Sequence, residues 1–226
     1  MKQLIGMSSA GLSVLDLGCG SGFLIEWLID QGAAYVCGID GSSAMINIAR
    51  SRPQPQTLAN DSWGSTNKWG LRVHDLNSPL LFLEDNTFDL VISSLTFHYV
   101  RDWHHLLGDC NRVLNPGSFN SSQGTRLITS THPPVEDDTW GNGGSGNYFA
   151  SERLTWGGDA QVAYYRRPLS QISTALHESG FVIERIVEPT PVTEAKGLDL
   201  ERFQRLSRVA IYHFVARPCF SIARKE

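Results

Sequence analysis

The stretch with the clearest chemical consequence is Val14-Leu-Asp-Leu-Gly-Cys-Gly-Ser-Gly-Phe23. Glycines at 18, 20 and 22 let a strand turn sharply into a helix while backbone amides approach a ligand closely. A pyrophosphate-binding turn would place its third glycine at position 23, and that residue is Phe23. The GxGxG spacing, with Asp16 just before it, suits a ligand without a pyrophosphate. Asp40 lies about 20 residues beyond the first glycine, where an acid accepts hydrogen bonds from both hydroxyls of a ribose. Asp75 closes a third strand-like run in the same way. Ligands of open α/β sheets sit outside the carboxyl ends of the strands, so Asp16, Asp40 and Asp75 converge on one crevice. One such acid is an ordinary turn residue; three at successive strand ends, beside this turn, point to a ligand.

These residues need a parallel sheet to hold them, and strand and helix signals do alternate. Strands are expected at 12–17, 35–39, 71–74, 88–92 and 126–129, then at 181–187 and 209–215. Helices are expected at 23–30, with Phe23, Leu24, Trp27 and Leu28 on one stripe, after Ser42 or Ser43, at 102–114 and at 169–179. The second of these has Met45, Ile46, Ile48 and Ala49 as its apolar face. Residues 51–70 read as a surface loop and 118–124 as a polar turn. The segment 131–168 is too long for a plain connection and is expected to form a lid or substrate cap on a single domain spanning 1–226.

The bulk numbers exclude several classes. With 226 residues, 41% apolar and 19% charged, the chain has enough apolar material for one core. A net charge of −4, without clustered Lys and Arg, gives no nucleic-acid footprint. No apolar run is long enough to span a bilayer, and Gly6, Ser8 and Ser9 break any signal-like core at the start. Cys19, Cys37, Cys110 and Cys219 form no CxxC pair and have no His at metal spacing, so a reduced, cytoplasmic protein without a metal site is expected.

Taken in order, these segments resemble a class I S-adenosylmethionine-dependent methyltransferase over nearly the whole chain. Val14 to Gly22 is similar to the cofactor loop, Gly38-Ile-Asp-Gly-Ser-Ser-Ala-Met45 to the ribose segment and His74-Asp-Leu76 to the adenine segment. Phe88 to Leu95 resembles the fourth-strand motif, and Arg112-Val-Leu-Asn-Pro-Gly117 the turn before strand five. More narrowly, Ser94-Leu-Thr-Phe-His-Tyr99, Thr131-His-Pro-Pro134 and Arg167-Pro-Leu-Ser170 resemble a small-molecule subgroup (methyltransferase type 11/25-like). The resemblance implies an α/β, Rossmann-like, seven-stranded mixed sheet of order 3-2-1-4-5-7-6, with strand seven antiparallel and helices on both faces. It implies S-adenosylmethionine as cofactor and S-adenosylhomocysteine as product. Asp16, Gly18, Cys19, Gly20 and Gly41 would lie along the cofactor, Gly18 and Gly20 at its methionine part. Asp40 would hold the ribose, Asp75 the adenine amine and Ser93 the amino acid end, while Met45 and Leu76 would flank the adenine ring. Without the resemblance, Met45 reads as a core residue of its helix. The family usually carries one or two helices before strand one, and Met1 to Gly11 are too short for both.

Methyl transfer from a sulfonium is a direct displacement, so positioning carries much of the rate, and a base matters only for a hydroxyl or protonated amine acceptor. His98, just past strand four, is the first candidate base, with Tyr99 as a hydrogen-bonding partner and His132, past strand five, as the second. The alternative for His98 is a structural role. His104-His105 read as surface residues, and His177 and His213 have no constellation around them. Ser93-Ser-Leu-Thr96 stands where amine methyltransferases of nucleobases and glutamine often carry Asn/Asp-Pro-Pro-aromatic. Tyr148, Phe149, Trp156, Tyr164 and Tyr165 would give an aromatic lid suited to a small organic acceptor, bound by a monomer or a homodimer. Two other readings are a protein of this fold that binds the cofactor without methylating and a nicotinamide dehydrogenase, against which Phe23 stands.

Overall fold

The computed structural model describes residues 1–6, 9–52, 69–117, 124–132, 147–155, 162–191, 193, 197, 199–200, 203–204 and 211–219. Strands β1 (Ser13–Leu17), β2 (Tyr35–Asp40), β3 (Trp69–Val73), β4 (Leu90–Ser93) and β5 (Arg126–Thr131) pair in parallel, in the order β3-β2-β1-β4-β5. A two-stranded antiparallel hairpin, β6 (Glu152–Thr155) and β7 (Ala163–Arg166), stands outside this sheet. Strands β8 (Phe181–Val187) and β9 (Tyr212–Pro218) complete it, β9 lying antiparallel between β5 and β8. Counted over the seven sheet strands, the order is the expected 3-2-1-4-5-7-6.

The two-residue period of the strands splits the core between the two faces. Val14, Val36, Leu90 and Ile92 pack with Ile25, Leu28 and Ile29 of α2 (Phe23–Asp30) and Ile46 of α3 (Ser43–Ser51). Ile5 of a short first helix, α1 (Lys2–Ile5), joins them. Leu15, Leu17, Cys37, Ile39 and Val91 face the other way, onto α4 (Trp103–Val113) and α5 (Leu169–Glu178). Helices therefore cover both faces, as a parallel sheet requires.

Several expectations need correction. The buried stripe of α2 is Ile25, Leu28 and Ile29, and Phe23 is exposed beneath the ammonium of Lys2, 4.4 Å from its ring centroid. On α3 only Ile46 and Ala49 are buried; Met45 and Ile48 are exposed, so Met45 is not a core residue. Strand β3 starts at Trp69 and α3 runs to Ser51, which trims the expected loop at both ends; its residues 53–68 lie outside the described residues, as do 118–123. Phe88 forms an isolated bridge with Leu114 rather than part of β4. The last strand runs on to Pro218, because its pairing with β8 continues past Val215 to Arg217 on Val182 and Pro218 on Phe181, while residues 209–210 lie outside the described set. Of the expected cap, residues 133–146 and 156–161, with Pro133, Pro134 and Trp156, lie outside it too. No helix among the described residues is long and apolar enough to cross a membrane.

Candidate active site

The turn from β1 into α2 is left-handed at Gly18, Gly20 and Gly22, with φ of 75°, 52° and 78°. Gly18 is doubly constrained, since a Cβ there would overlap the side chain of Thr96, from the segment after β4. The amides of Gly18 and Cys19 both donate to the carbonyl of Ile39 at 2.7 and 3.0 Å, which ties the turn to the end of β2. Asp40 completes that tie: Oδ2 accepts from the Gly20 amide and Oδ1 from the Ser42 amide, each at 2.8 Å. Each oxygen keeps a further lone pair for a second donor.

Asp16 points inward at the end of β1 and is 1% exposed, and neither of its oxygens has a hydrogen-bond partner among the described residues. Burial pushes its carboxyl up to about 7, and the Asp40 carboxylate adds to the rise. Asp75 is exposed just past β3, and its Oδ1 accepts from the amide and side chain of Asn77, which holds its carboxyl below the usual value. Gly41 and Met45 are exposed beside Asp40, whereas Cys19 and Leu76 are buried in the core, with burial pushing the Cys19 thiol up. Ser93 is buried and donates to the Leu17 carbonyl at 2.8 Å, so its hydroxyl joins β4 to β1.

The chain past β4 is bent. Leu95 is a non-glycine residue at φ 54°, and its amide donates to Ser130 Oγ of β5 at 2.9 Å. Such a conformation is uncommon for a branched residue and persists only where its surroundings impose it. It leads into a 3-10 turn, Phe97–Tyr99, that carries His98. The His98 ring is 1% exposed, and its centroid lies 4.3 Å from that of His132, 4.1 Å from Tyr99 and 6.4 Å from Tyr164 of β7. Neither ring nitrogen of His98 has a partner among the described residues. Burial, helped by His132 and Arg167, pushes its pKa down to about 2, and burial pushes His132 down to about 4, so both rings are neutral near pH 7. Arg167 fixes this segment from behind, its Nη2 donating to the carbonyls of Val100 at 2.8 Å and Arg101 at 2.5 Å.

Residues 15–120 match the family described as a methyltransferase domain. An S-adenosylmethionine-dependent methyltransferase from Mesorhizobium loti superposes with a TM-score of 0.70 at 26% identity, over 95% of this chain and 94% of that one. Residues 15–120 are a methyltransferase domain, and the whole chain has the fold of S-adenosylmethionine-dependent methyltransferases. A methyltransferase of the same kind from Methanosarcina mazei, 17% identical with a TM-score of 0.66 over 98% and 99% of the two chains, shares the fold. A ubiquinone biosynthesis O-methyltransferase of Pasteurella multocida is 35% identical over 109 residues, which are 47% of this chain and 43% of that protein. That match therefore covers less than half of either chain.

The residues present fit S-adenosylmethionine. An unpartnered, buried carboxylate inside the glycine turn suits a ligand group that carries positive charge or donates hydrogen bonds. Asp40 has acceptor capacity left for hydroxyls, and Asp75 Oδ2 is free of the contacts that hold Oδ1. The geometry brings His98, Tyr99 and His132 together at the other end of the crevice, as their spacing in the sequence could not show. It also gives contacts to residues that the sequence named without them: Thr96 against Gly18 and Arg167 behind Val100, both from motifs of the resemblance, and Tyr164 against His98, expected only as a lid aromatic. Ser130 beneath Leu95 was missed. Of the pair expected at the surface, His104 is exposed and His105 half-buried; His177 is exposed, while His213 is buried in β9.

Proposed function

We propose that the enzyme methylates a small organic acceptor, at O, N or C, held against the His98–His132 pair at the carboxyl ends of β4 and β5. The observation that carries this reading is a neutral, buried imidazole whose two nitrogens have no partner among the described residues, placed next to a second one. S-adenosylmethionine, when bound, supplies an electrophilic methyl group on a sulfonium. Asp40 holds the ribose while Asp16, Gly18, Cys19, Gly20 and Gly41 line the methionine side. Asp75 meets the adenine, which exposed Met45 covers, and Ser93 acts by fixing β4 to β1. The wall at the acceptor end comes from Tyr99 and Tyr164, and the hairpin β6–β7 acts as part of a cap spanning 131–168.

Both imidazoles are weak bases here, because burial disfavours their charged forms. They accept a hydrogen bond from the acceptor and take a proton only as the methyl bond forms. His132, less buried and less depressed than His98, is the better terminal proton acceptor, and His98 orients. Alignment of the reactants contributes more, on the order of 7–11 kcal/mol, than a base worth about 10²–10⁴-fold.

The test is transfer of a labelled methyl group from S-adenosylmethionine into a small-molecule extract, with binding followed by calorimetry. Asp40→Ala is expected to weaken cofactor binding by roughly 10–100-fold, the scale of hydrogen bonds to a charged group. His98→Asn and His132→Asn should bind the cofactor normally and lower turnover by about 10²–10⁴-fold. Full turnover in both histidine variants would remove the pair from the chemistry.

A further inference from the structure

A cavity of about 620 Å³ lies between the hairpin β6–β7 and the amino-terminal turns of α4 and α5. None of the residues placed above on the cofactor or the acceptor lines it. Its wall carries four guanidinium groups, Arg101, Arg153, Arg166 and Arg167, against two carboxylates, Asp102 and Glu152. Both acids are already engaged. Asp102 Oδ1 accepts from the amides of His104 and His105, and Glu152 pairs with Arg166 Nη2 at 2.5 Å.

The arginines divide by what they touch. Arg167 is committed to main-chain carbonyls, as described. Arg166 is the unusual one: its side chain is 5% exposed, and Nη2 serves Glu152 and the Asn147 carbonyl. Its Nε and Nη1 are buried without a partner among the described residues. Buried donors of a charged group left unpaired are costly, and native structures nearly always satisfy them. Arg101 and Arg153 are exposed and have no acceptor among the described residues.

We propose that this cavity is a binding site for a small dianion, a phosphate monoester or a dicarboxylate, held by the exposed guanidinium groups of Arg101 and Arg153 above the buried, incompletely paired charge of Arg166. A planar guanidinium edge matches the oxygens of either group through paired, charge-assisted hydrogen bonds. The bound anion ties the hairpin to the start of α4. Through Arg167 it bears on the segment that carries His98. The proposal stands whether or not methyl transfer proceeds as described above.

Inorganic phosphate and malonate, titrated separately into the full chain at ionic strength held constant with chloride, distinguish the two sources. Saturable binding of either, read by calorimetry, is expected, and the tighter of the two names the group. Arg101→Gln with Arg153→Gln changes only exposed, unpartnered side chains and should weaken that binding at least about tenfold. Calorimetric binding of S-adenosylmethionine should be the same in this variant as in wild type, which separates the anion site from the cofactor site. Absence of saturable binding for both probes, or binding undiminished in the double variant, overturns the proposal.

Discussion

Around the turn after β1, nearly every polar contact is made by main chain. Gly18 and Cys19 donate to one carbonyl, Gly20 and Ser42 to one carboxylate, and the glycines supply the curvature. Around the turn after β4 the work falls to side chains from distant segments: Ser130 under Leu95, Arg167 behind Val100, and His132 and Tyr164 against His98. The first end is a backbone scaffold that fixes a common ligand. The second is assembled from residues that can change without disturbing the sheet, which suits a variable acceptor. The two ends meet where Thr96 packs on Gly18, next to the Ser93 hydroxyl that joins β4 to β1.

Breaking that contact should have the largest effect. Gly18→Ala adds a Cβ inside the Thr96 side chain and forces a left-handed conformation on a residue that disfavours it. The overlap costs about 1–3 kcal/mol and the conformation roughly 1–2 kcal/mol, so a stability loss of some 2–5 kcal/mol is expected in urea unfolding. Adding Thr96→Gly, which also removes the Cβ that would lie 2.6 Å from the new one, should restore the overlap part alone. If the single variant unfolds within about 0.5 kcal/mol of wild type, the backbone scaffold is looser than its hydrogen bonds imply.

Buried ionisable groups sharpen the contrast, because the two ends tilt stability with pH in opposite directions. Asp16 has a folded pKa raised from 3.8 to about 7, so the folded state keeps a proton that the unfolded chain releases. Its contribution is fully present below pH 3.8 and is lost as pH rises to about 7. His98 has a folded pKa lowered from 6.5 to about 2, so its contribution is present above pH 6.5 and lost as pH falls. Asp16→Asn should make stability climb more steeply with pH between about 4.5 and 6.5, and His98→Asn should flatten it, each by up to about 1.4 kcal/mol per pH unit. Urea midpoints across that range measure both slopes. Changes of the same sign in the two variants would contradict the burial of one of them.

The same division decides what could be read from the sequence. The glycine turn and Asp40 lie within one βαβ unit, where spacing and backbone geometry leave few alternatives, so the α/β class and this end of the crevice were legible, while the sheet order came only with the family resemblance. The stretch between β5 and α5 was not. Its hairpin pairs Glu152 with Arg166 and Leu154 with Tyr164, but Glu152-Arg-Leu-Thr155 has no clean alternation to announce a strand. Met45 misled for a different reason. A helical period places it near the apolar stripe, yet α3 buries only Ile46 and Ala49 because it lies on the sheet along a narrow line. His98 was visible as a candidate, but its burial depends on His132 and Tyr164, 34 and 66 positions away by their numbers.

The smallest expected effects lie at the two helix entrances. Ser42 Oγ accepts from the Met45 amide at 3.3 Å, and both residues are exposed. The main chain there is already held by Asp40 through the Ser42 amide, which a change to alanine leaves in place. Asp102 caps α4 through one charged oxygen, 3.0 Å from the His104 amide and 3.4 Å from the His105 amide, so a change to alanine removes both contacts. Loss of a cap costs typically about 1 kcal/mol, within 0.5–2 kcal/mol, and about 1 kcal/mol moves the melting temperature of a chain this size by some 2–4 °C. Asp102→Ala should therefore fall near the middle of that range, Asp102→Asn near zero, and Ser42→Ala at the lower edge. A Ser42→Ala loss exceeding that of Asp102→Ala would mean that the cofactor end also depends on side chains for its shape, and the distinction between a backbone scaffold and an assembled acceptor wall would no longer hold.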